Sequence, residues 1–446
     1  MKKTLIILFT IALTCYGSVN QGHFLASIYI ENDNQCVISG TTVYAEKYNK
    51  TFIAKLDKIL NLNETTELSQ KKDKEGAGLI KDANNNSIIL SMADNDSNKS
   101  NIRLIKLDVN NTIIWDNTYD NDNNLTLEYS FRTPIIQTTN GSFLIMSQHQ
   151  THSCKSNVLL YKIDKNGNKL WEKSFGTEKK DKPLFLLVSN DDTYTLFCLV
   201  EVKRNNLSAY ALYIVKMDNN GNKIWSKTLY KRGSKEKDYQ NLVLTSAVNT
   251  PSWDYILSGS IIHTGKTIPE DTASKYILKM DSKGNTIWGK SVKGEDNFSK
   301  LAYLFKVNSD YVSFAITLNS NNEPYVSAIK FDINGSVNKV VDYKEPKMLL
   351  MRTMALKNNG FMVIGGRSNE KKETKIIAFK VDKNLNVLWE KQLCTWHNVY
   401  GLPIIKERPD GKVIIGYTYK KNEKSSFQIQ LKLLDQNGTI LKASTI

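Results

Sequence analysis

Any catalytic or metal chemistry in this chain has to be built from few histidines: His23, His149, His152, His263 and His397. Two clusters have a spacing that a borderline metal such as zinc could use, His149-Gln-Thr-His152-Ser-Cys154 and Cys394-Thr-Trp-His397. A structural zinc is held by four ligands at about 2.1 to 2.3 Å, so the clusters would have to meet, and polar loop residues are the simpler reading. Gly265-Lys266-Thr267 matches the end of a phosphate-binding loop, but Ser260 stands where the earlier Gly is needed. The chain has neither a Gly-x-Ser-x-Gly elbow nor a His-Glu-x-x-His helix. Carboxylates are plentiful, and a glycosidase needs only a pair about 5 to 10 Å apart. Glu128, Glu323 and Glu345, however, belong to no motif. No catalytic, cofactor-binding or metal-binding residue is assigned, and no cofactor is expected.

The elements that would position such residues begin after an export signal. Lys2 and Lys3 precede an apolar run from Leu5 to Leu13, too short to span a bilayer. Residues 1–17 read as a secretory signal peptide cleaved before Ser18. Alternatively, Ala12-Leu13-Thr14-Cys15 resembles a bacterial lipobox, in which Cys15 would be lipidated and begin the mature chain. Thr14 departs from that pattern, which prefers Gly, Ala or Ser. No later run approaches the roughly 20 apolar residues of a membrane helix, so no membrane span is expected.

From residue 22 to 446 the chain repeats. Alternating apolar residues lead to Asp, then Gly three residues on and Trp seven on: Asp164, Gly167 and Trp171; Asp218, Gly221 and Trp225; Asp281, Gly284 and Trp288. Weaker copies carry Asp108 with Trp115, Asp382 with Trp389, Asp332 with Gly335, Asp435 with Gly438, and Asp57. The eight aspartates are 50 to 63 residues apart and average 54. A second apolar run often follows its own turn, as at Asn140-Gly141, Asn359-Gly360 and Asp410-Gly411, which are strong hairpin signals. The third unit therefore reads as strands over 132–137, 142–147, 158–163 and 169–174. Four short antiparallel strands at this period describe a propeller blade. The expected fold is all-β, a single β-propeller of eight four-stranded blades.

In each unit the Asp side chain can accept from the backbone two residues on, and Gly tolerates positive φ. Asn111 keeps that tolerance, while Leu60 and Leu385 lack it, so those two turns are expected to take another form. The Trp falls on the fourth strand, where it can wedge between neighbouring blades with its indole N–H bonded. Recurrence at one repeat position favours packing over a rim that stacks carbohydrate.

Cys36 and Cys198 fall within second strands and read as small buried hydrophobes, so no structural disulfide is expected. In the four-strand reading, His149 to Cys154 form a loop of blade three, and Cys394 to His397 the connection leaving blade seven. Residues 262–274 look like an insertion in blade five. The net charge of +15 falls to +13 without Lys2 and Lys3. Its runs, Lys71-Lys72, Lys179-Lys180, Lys231-Arg232 and Lys420-Lys421, lie in expected connections near acids. They read as solvated loop charge rather than a nucleic-acid face, leaving attraction to anionic envelope polymers as a residual possibility.

The Asp-x-x-Gly-x-x-x-Trp repeat resembles that of bacterial exported propellers and, distantly, the quinoprotein repeat, in which a Trp docks each blade on its neighbour. The quinoprotein pattern has one further residue between Asp and Gly, which this chain lacks. The resemblance implies the fold and export, but no quinone or calcium ligands can be matched. The expected function is a non-enzymatic, exported, monomeric protein that binds or scaffolds a protein or polymer partner. The alternative is a secreted glycan-acting enzyme with carboxylates at its central channel.

Overall fold

Runs such as Val158-Leu-Leu-Tyr-Lys-Ile163 and Val413-Ile-Ile-Gly-Tyr-Thr-Tyr419 are rich in β-branched and aromatic residues and punctuated by Asp, Asn and Gly. Their residues pack on a pleated surface, and the punctuation closes tight hairpins. In the computed structural model they are strands. The described residues run from 22 to 446, except 45–48, 69–72, 95–99, 120–123, 127–134, 151–155, 178–180, 190, 205–206, 230, 233–238, 265–271, 293–297, 320, 322, 345–347, 359, 369–373, 397 and 422–424. The export segment thus lies outside them. The described elements are all strands, and no described helix is long and apolar enough to cross a membrane.

Eight successive four-stranded antiparallel meanders span 22–67, 73–119, 135–175, 181–229, 239–292, 298–343, 349–396 and 398–445. Two short strands, Asn124–Thr126 and Lys231–Arg232, are additional. These are the eight blades of a β-propeller. In blade three the strands are Ile135–Gln137, Phe143–Gln150, Ser156–Ile163 and Lys169–Phe175, so the second strand runs three residues beyond its expected end.

The chain forms two compact units. One holds residues 1–129 and 351–446, with blades one, two and eight and nearly all of seven; the other holds 130–350, with blades three to six. Within the first unit, blade eight packs on blade one. Ile414, Ile429, Leu431 and Leu433 share a buried cluster with Ile28, Ile38, Phe52 and Ala54. A single parallel bridge, Gly22 with Phe427, also joins them. Within the second unit, Leu196 and Tyr194 of blade four pack on Leu144, Met146 and Leu160 of blade three. Phe197 and Leu212 of blade four pack on Leu242, Tyr255 and Leu257 of blade five.

The Asp turns close as the sequence implies, and one expectation about them fails. Gly221 N–H donates to Asp218 O at 3.0 Å, and Asp218 Oδ1 accepts from the amides of Asn220 and Asn222 at 2.9 and 2.8 Å. Leu60 and Leu385 were expected to force another turn, yet they take φ of 62° and 67° and close the same bonds, to Asp57 O and Asp382 O, each at 3.0 Å. Left-handed backbone costs a non-Gly residue about 1 to 2 kcal/mol. Both leucines are fully buried, and burying Leu yields about 1.5 to 3 kcal/mol, which offsets the strain.

Candidate functional site

The repeated residues form the joints between blades. Trp171 donates its indole N–H to Asn219 O of blade four at 3.1 Å, and Trp288 reaches Ile333 O of blade six at 3.2 Å. Trp389 reaches Gln436 O of blade eight at 2.9 Å. Each acceptor is the carbonyl just after the next blade's turn Asp, which the turn itself leaves unbonded. The packing reading of the Trp therefore holds at these joints. The rings lie on the turn glycines: a Cβ at Gly284 would stand 2.8 Å from Trp225, and one at Gly438 2.7 Å from Trp389.

Lysines that the sequence reading passed over complete these joints. In the first seven blades, from Lys55 to Lys380, a Lys stands two residues before the Asp. Lys55 Nζ donates to Val109 O at 2.8 Å, Lys162 to Asn219 O at 3.1 Å and Lys380 to Gln436 O at 3.2 Å, each on that same turn carbonyl of the next blade. Lys106 and Lys279 instead pair with Asp82 and Asp254 of their own blades, at 2.9 and 3.4 Å. Blade eight has Leu433 at this position, and Arg408 supplies the donor, reaching Lys58 O at 2.6 Å. A second lysine, nine residues after the Asp, holds the next turn by charge. Asp218 is kept below the usual carboxylate range first by the Asn222 amide and also by Lys173. The Thr439 amide and Lys391 act alike on Asp435. These lysines are thus structural, and the first set was legible as a Lys-x-Asp pattern.

Two further polar clusters are buried. Arg103 of blade two is fully enclosed. It donates through Nη1 to Asp73 at 2.6 Å, through Nε to Asp116 at 2.8 Å and through Nη2 to Leu68 O at 3.0 Å. Asp73 also accepts the Thr51 amide of blade one at 2.9 Å, so the group staples two blades. Asp181 of blade four is inaccessible, and burial pushes its pKa up against the bonds it accepts from the Thr177 amide and hydroxyl. Both of its oxygens face the protein, so it is not offered to a substrate.

Those of the residues first considered for chemistry that the structure describes lie on separate elements. His149 lies inside the lengthened second strand of blade three, paired with Asn157, rather than in the loop expected there. Cys394 is on the fourth strand of blade seven, paired with Ile376, rather than in the connection leaving it. His152, Cys154 and His397 fall outside the described residues. No group of three metal-ligating side chains occurs among the described residues. Cys36 and Cys198 are buried free thiols in second strands, and burial raises the Cys36 pKa to about 12. His23 bonds Thr42 at 3.0 Å, and burial lowers its pKa. The expected insertion is largely strand at its ends, where His263 pairs with Thr272, and 265–271 lie outside the described residues. Glu323 accepts the Asn319 side chain at 3.0 Å, while Glu128 and Glu345 lie outside. Lys420 is buried over the Phe427 ring at 4.4 Å and is not the solvated loop charge expected of it.

One repeated feature takes no part in joint or core. The residue just before the Trp position is aliphatic in six fourth strands, at Ile114, Leu170, Ile224, Ile287, Leu388 and Leu441, and each is 48 to 54% exposed. Each fourth strand is a sheet edge, so these side chains stand beside unpaired backbone groups.

No family model matches the chain. No curated protein matches it either. Among solved structures, a Mycobacterium tuberculosis puromycin-hydrolyzing peptidase is similar at TM-score 0.50 and 9% identity, over 82% of this chain and 53% of its own. This chain thus spans about half the length of that peptidase. A eukaryotic initiation factor aligns at TM-score 0.49 and 8% identity, over 95% and 88% of the two chains. The β-propeller domain of the Trilobed protease from Pyrococcus furiosus aligns at TM-score 0.45 and 11% identity, over 84% and 98%. At such identities the likeness is one of fold alone.

Proposed function

We propose that this propeller is an exported binding or scaffold protein whose partner is a protein or polymer of the cell envelope or its surroundings. The observation that supports the reading is the set of half-exposed aliphatic residues on the fourth strands. Aliphatic side chains recurring in register and in water are a standing cost unless a partner covers them. The joints beside them use Trp, Lys and Asp for rigidity, which suits a platform presenting a surface. Export rests on Lys2, Lys3 and the apolar run 5–13, with cleavage before Ser18 or lipidation of Cys15 as its two forms. The bacterial exported repeat that the Asp-x-x-Gly-x-x-x-Trp pattern resembles points the same way.

The repeat itself supplies the test. Blades one and six carry Asn63 and Asn338 where the aliphatic stands elsewhere, so the fold tolerates Asn there. The full chain and a Leu170→Asn, Ile224→Asn, Ile287→Asn, Leu388→Asn variant, matched by circular dichroism and Tm, are compared for retention of envelope proteins and polymers. The wild type is expected to retain a defined partner that the variant releases. Equal retention by both, or none by the wild type, overturns the reading. Export is checked by fractionating cells and weighing the mature N-terminus.

A further inference from the structure

The first strands of the blades can be aligned residue by residue through their turns. Lys406 lies two residues before the turn that opens at Arg408, on the strand Asn398–Glu407, and Arg352 lies four before the turn at Leu356, on Leu349–Ala355. At the Lys406 position each of the other seven blades carries an apolar residue, from Tyr29 in the first to Met354 in the seventh. At the Arg352 position the other described blades are uncharged, with Ser27, Gly78, Phe185, Ser246, Tyr303 and Ile404. Two cations thus break the repeat on neighbouring first strands. Departures from a repeat rule that bring no structural gain are where function concentrates.

Neither Arg352 nor Lys406 has a hydrogen-bond or ion-pair partner among the described residues, unlike the joint lysines Lys55, Lys162 and Lys380. The charged groups nearest in sequence are engaged: Glu407 accepts the Lys357 amide at 2.7 Å, and Arg408 holds Asp410 at 2.9 Å. The two strands are fixed together, since Met351 and Met354 of one and Ile405 of the other pack in a single buried cluster. Lys406 remains solvent-exposed, yet surrounding protein pushes its pKa down, and the charge of Arg352 adds to this. An exposed ammonium that is partly desolvated and repelled by a guanidinium lies in a local positive field. Its strand also departs from the others in its bulge. Where first strands elsewhere skip one residue, as at Ala26 or Leu184, this one skips Gly401, Leu402 and Pro403, with Leu402 42% exposed. Enlarged bulges are common beside binding sites.

We propose that Arg352 and Lys406 form an oxyanion-binding pair that takes a phosphate, sulfate or carboxylate group of an anionic ligand. The guanidinium offers a planar fork of donors, and the ammonium a mobile point charge. A shared anion satisfies both cations and removes their mutual repulsion. The inference goes beyond the partner reading, which rests on the fourth strands, and the two stand or fall separately.

The test measures binding of inorganic sulfate, inorganic phosphate and the carboxylate polymer hyaluronate to the full chain at constant ionic strength, by calorimetry and by the shift in Tm. The variants are Lys406→Met and Arg352→Ser, residues that other blades carry at those positions. Lys223→Thr, an exposed charge loss on the fourth strand of blade four, is the control. Wild type is expected to bind at least one probe, with each variant weakening it about tenfold or more, as for loss of a charge-assisted hydrogen bond, and the control unchanged. The preferred probe identifies the ligand's source. No binding by the wild type, retention by both variants, or equal loss in the control overturns the proposal. Partner retention that persists in Lys406→Met leaves the scaffold reading intact.

Discussion

Replacing Gly284 by Ala tests whether the joints carry the energy the geometry assigns them. Gly284 has φ of +78°, and an added Cβ would stand 2.8 Å from the Trp225 ring. The left-handed backbone costs Ala about 1 kcal/mol, and the contact forces an overpacked shift of about 1 to 3 kcal/mol. Gly284→Ala should therefore lose about 2 to 4 kcal/mol. Gly141 separates the two contributions, because it has φ of +81° but nothing within 4 Å of an added Cβ. Gly141→Ala should lose only about 1 kcal/mol. A Trp225→Ala background removes the ring, so there Gly284→Ala should also cost about 1 kcal/mol, leaving a coupling energy of about 1 to 3 kcal/mol. Urea unfolding followed by far-ultraviolet circular dichroism reads all five proteins. Equal costs in the two backgrounds, or equal costs at Gly284 and Gly141, would refute the account of the joint.

Arg103→Met should lose about 3 to 5 kcal/mol, because it leaves the inaccessible Asp73 carboxylate without its counter-charge, and Arg103→Met with Asp73→Asn should recover part of this. A loss under about 1 kcal/mol in urea unfolding would show that the network is not a staple. Asp181 has a raised folded pKa, caused first by burial, so its contribution is fully present below the unfolded pKa of about 3.9 and is lost as pH rises through the folded value. The stability of wild type relative to Asp181→Asn should therefore fall between acid and neutral pH. A constant or rising difference would contradict the stated burial.

The period and its turns were readable because one hydrogen-bonded device recurs eight times, and Asp164, Gly167 and Trp171 announce it together. Leu60 and Leu385 were misread because turn propensity was weighed without the burial that compensates it. Their positions follow a rule that needs the joint geometry. Each unit with Trp is followed by one with Gly in its turn: Trp115 by Gly167, Trp171 by Gly221, Trp225 by Gly284, Trp288 by Gly335 and Trp389 by Gly438. The three units with Glu64, Lys339 and Lys442 in place of Trp are followed by Asn111, Leu385 and, returning to the first unit, Leu60. Within the first compact unit, Glu64 accepts the Asn111 side chain at 3.1 Å, and Lys442 reaches Asn61 at 3.1 Å. Without an indole over the turn, a side chain there has room. Strand ends were legible only to within a few residues, because His149 and Cys394 are polar or small and carry no pattern of their own, yet the ladder continues through them.

The same comparison separates scaffold from site. A residue that recurs at one repeat position and finds its partner in the next blade is explained by the joint, and this covers the Trp residues and joint lysines such as Lys55, Lys162 and Lys380. A residue that recurs and stays half-exposed, as the fourth-strand aliphatics do, is not explained by the joint, and the proposed binding role rests on it. Arg352 and Lys406 belong to neither class, since they interrupt apolar or neutral positions and have no ion-pair partner among the described residues. Net charge and basic runs could not distinguish them from Lys162 or Lys380, because composition counts all lysines alike. Only the alignment of first strands, together with the bonding of each ammonium, separates joint lysines that donate to turn carbonyls from these two cations, which have no partner among the described residues and on which the oxyanion proposal rests.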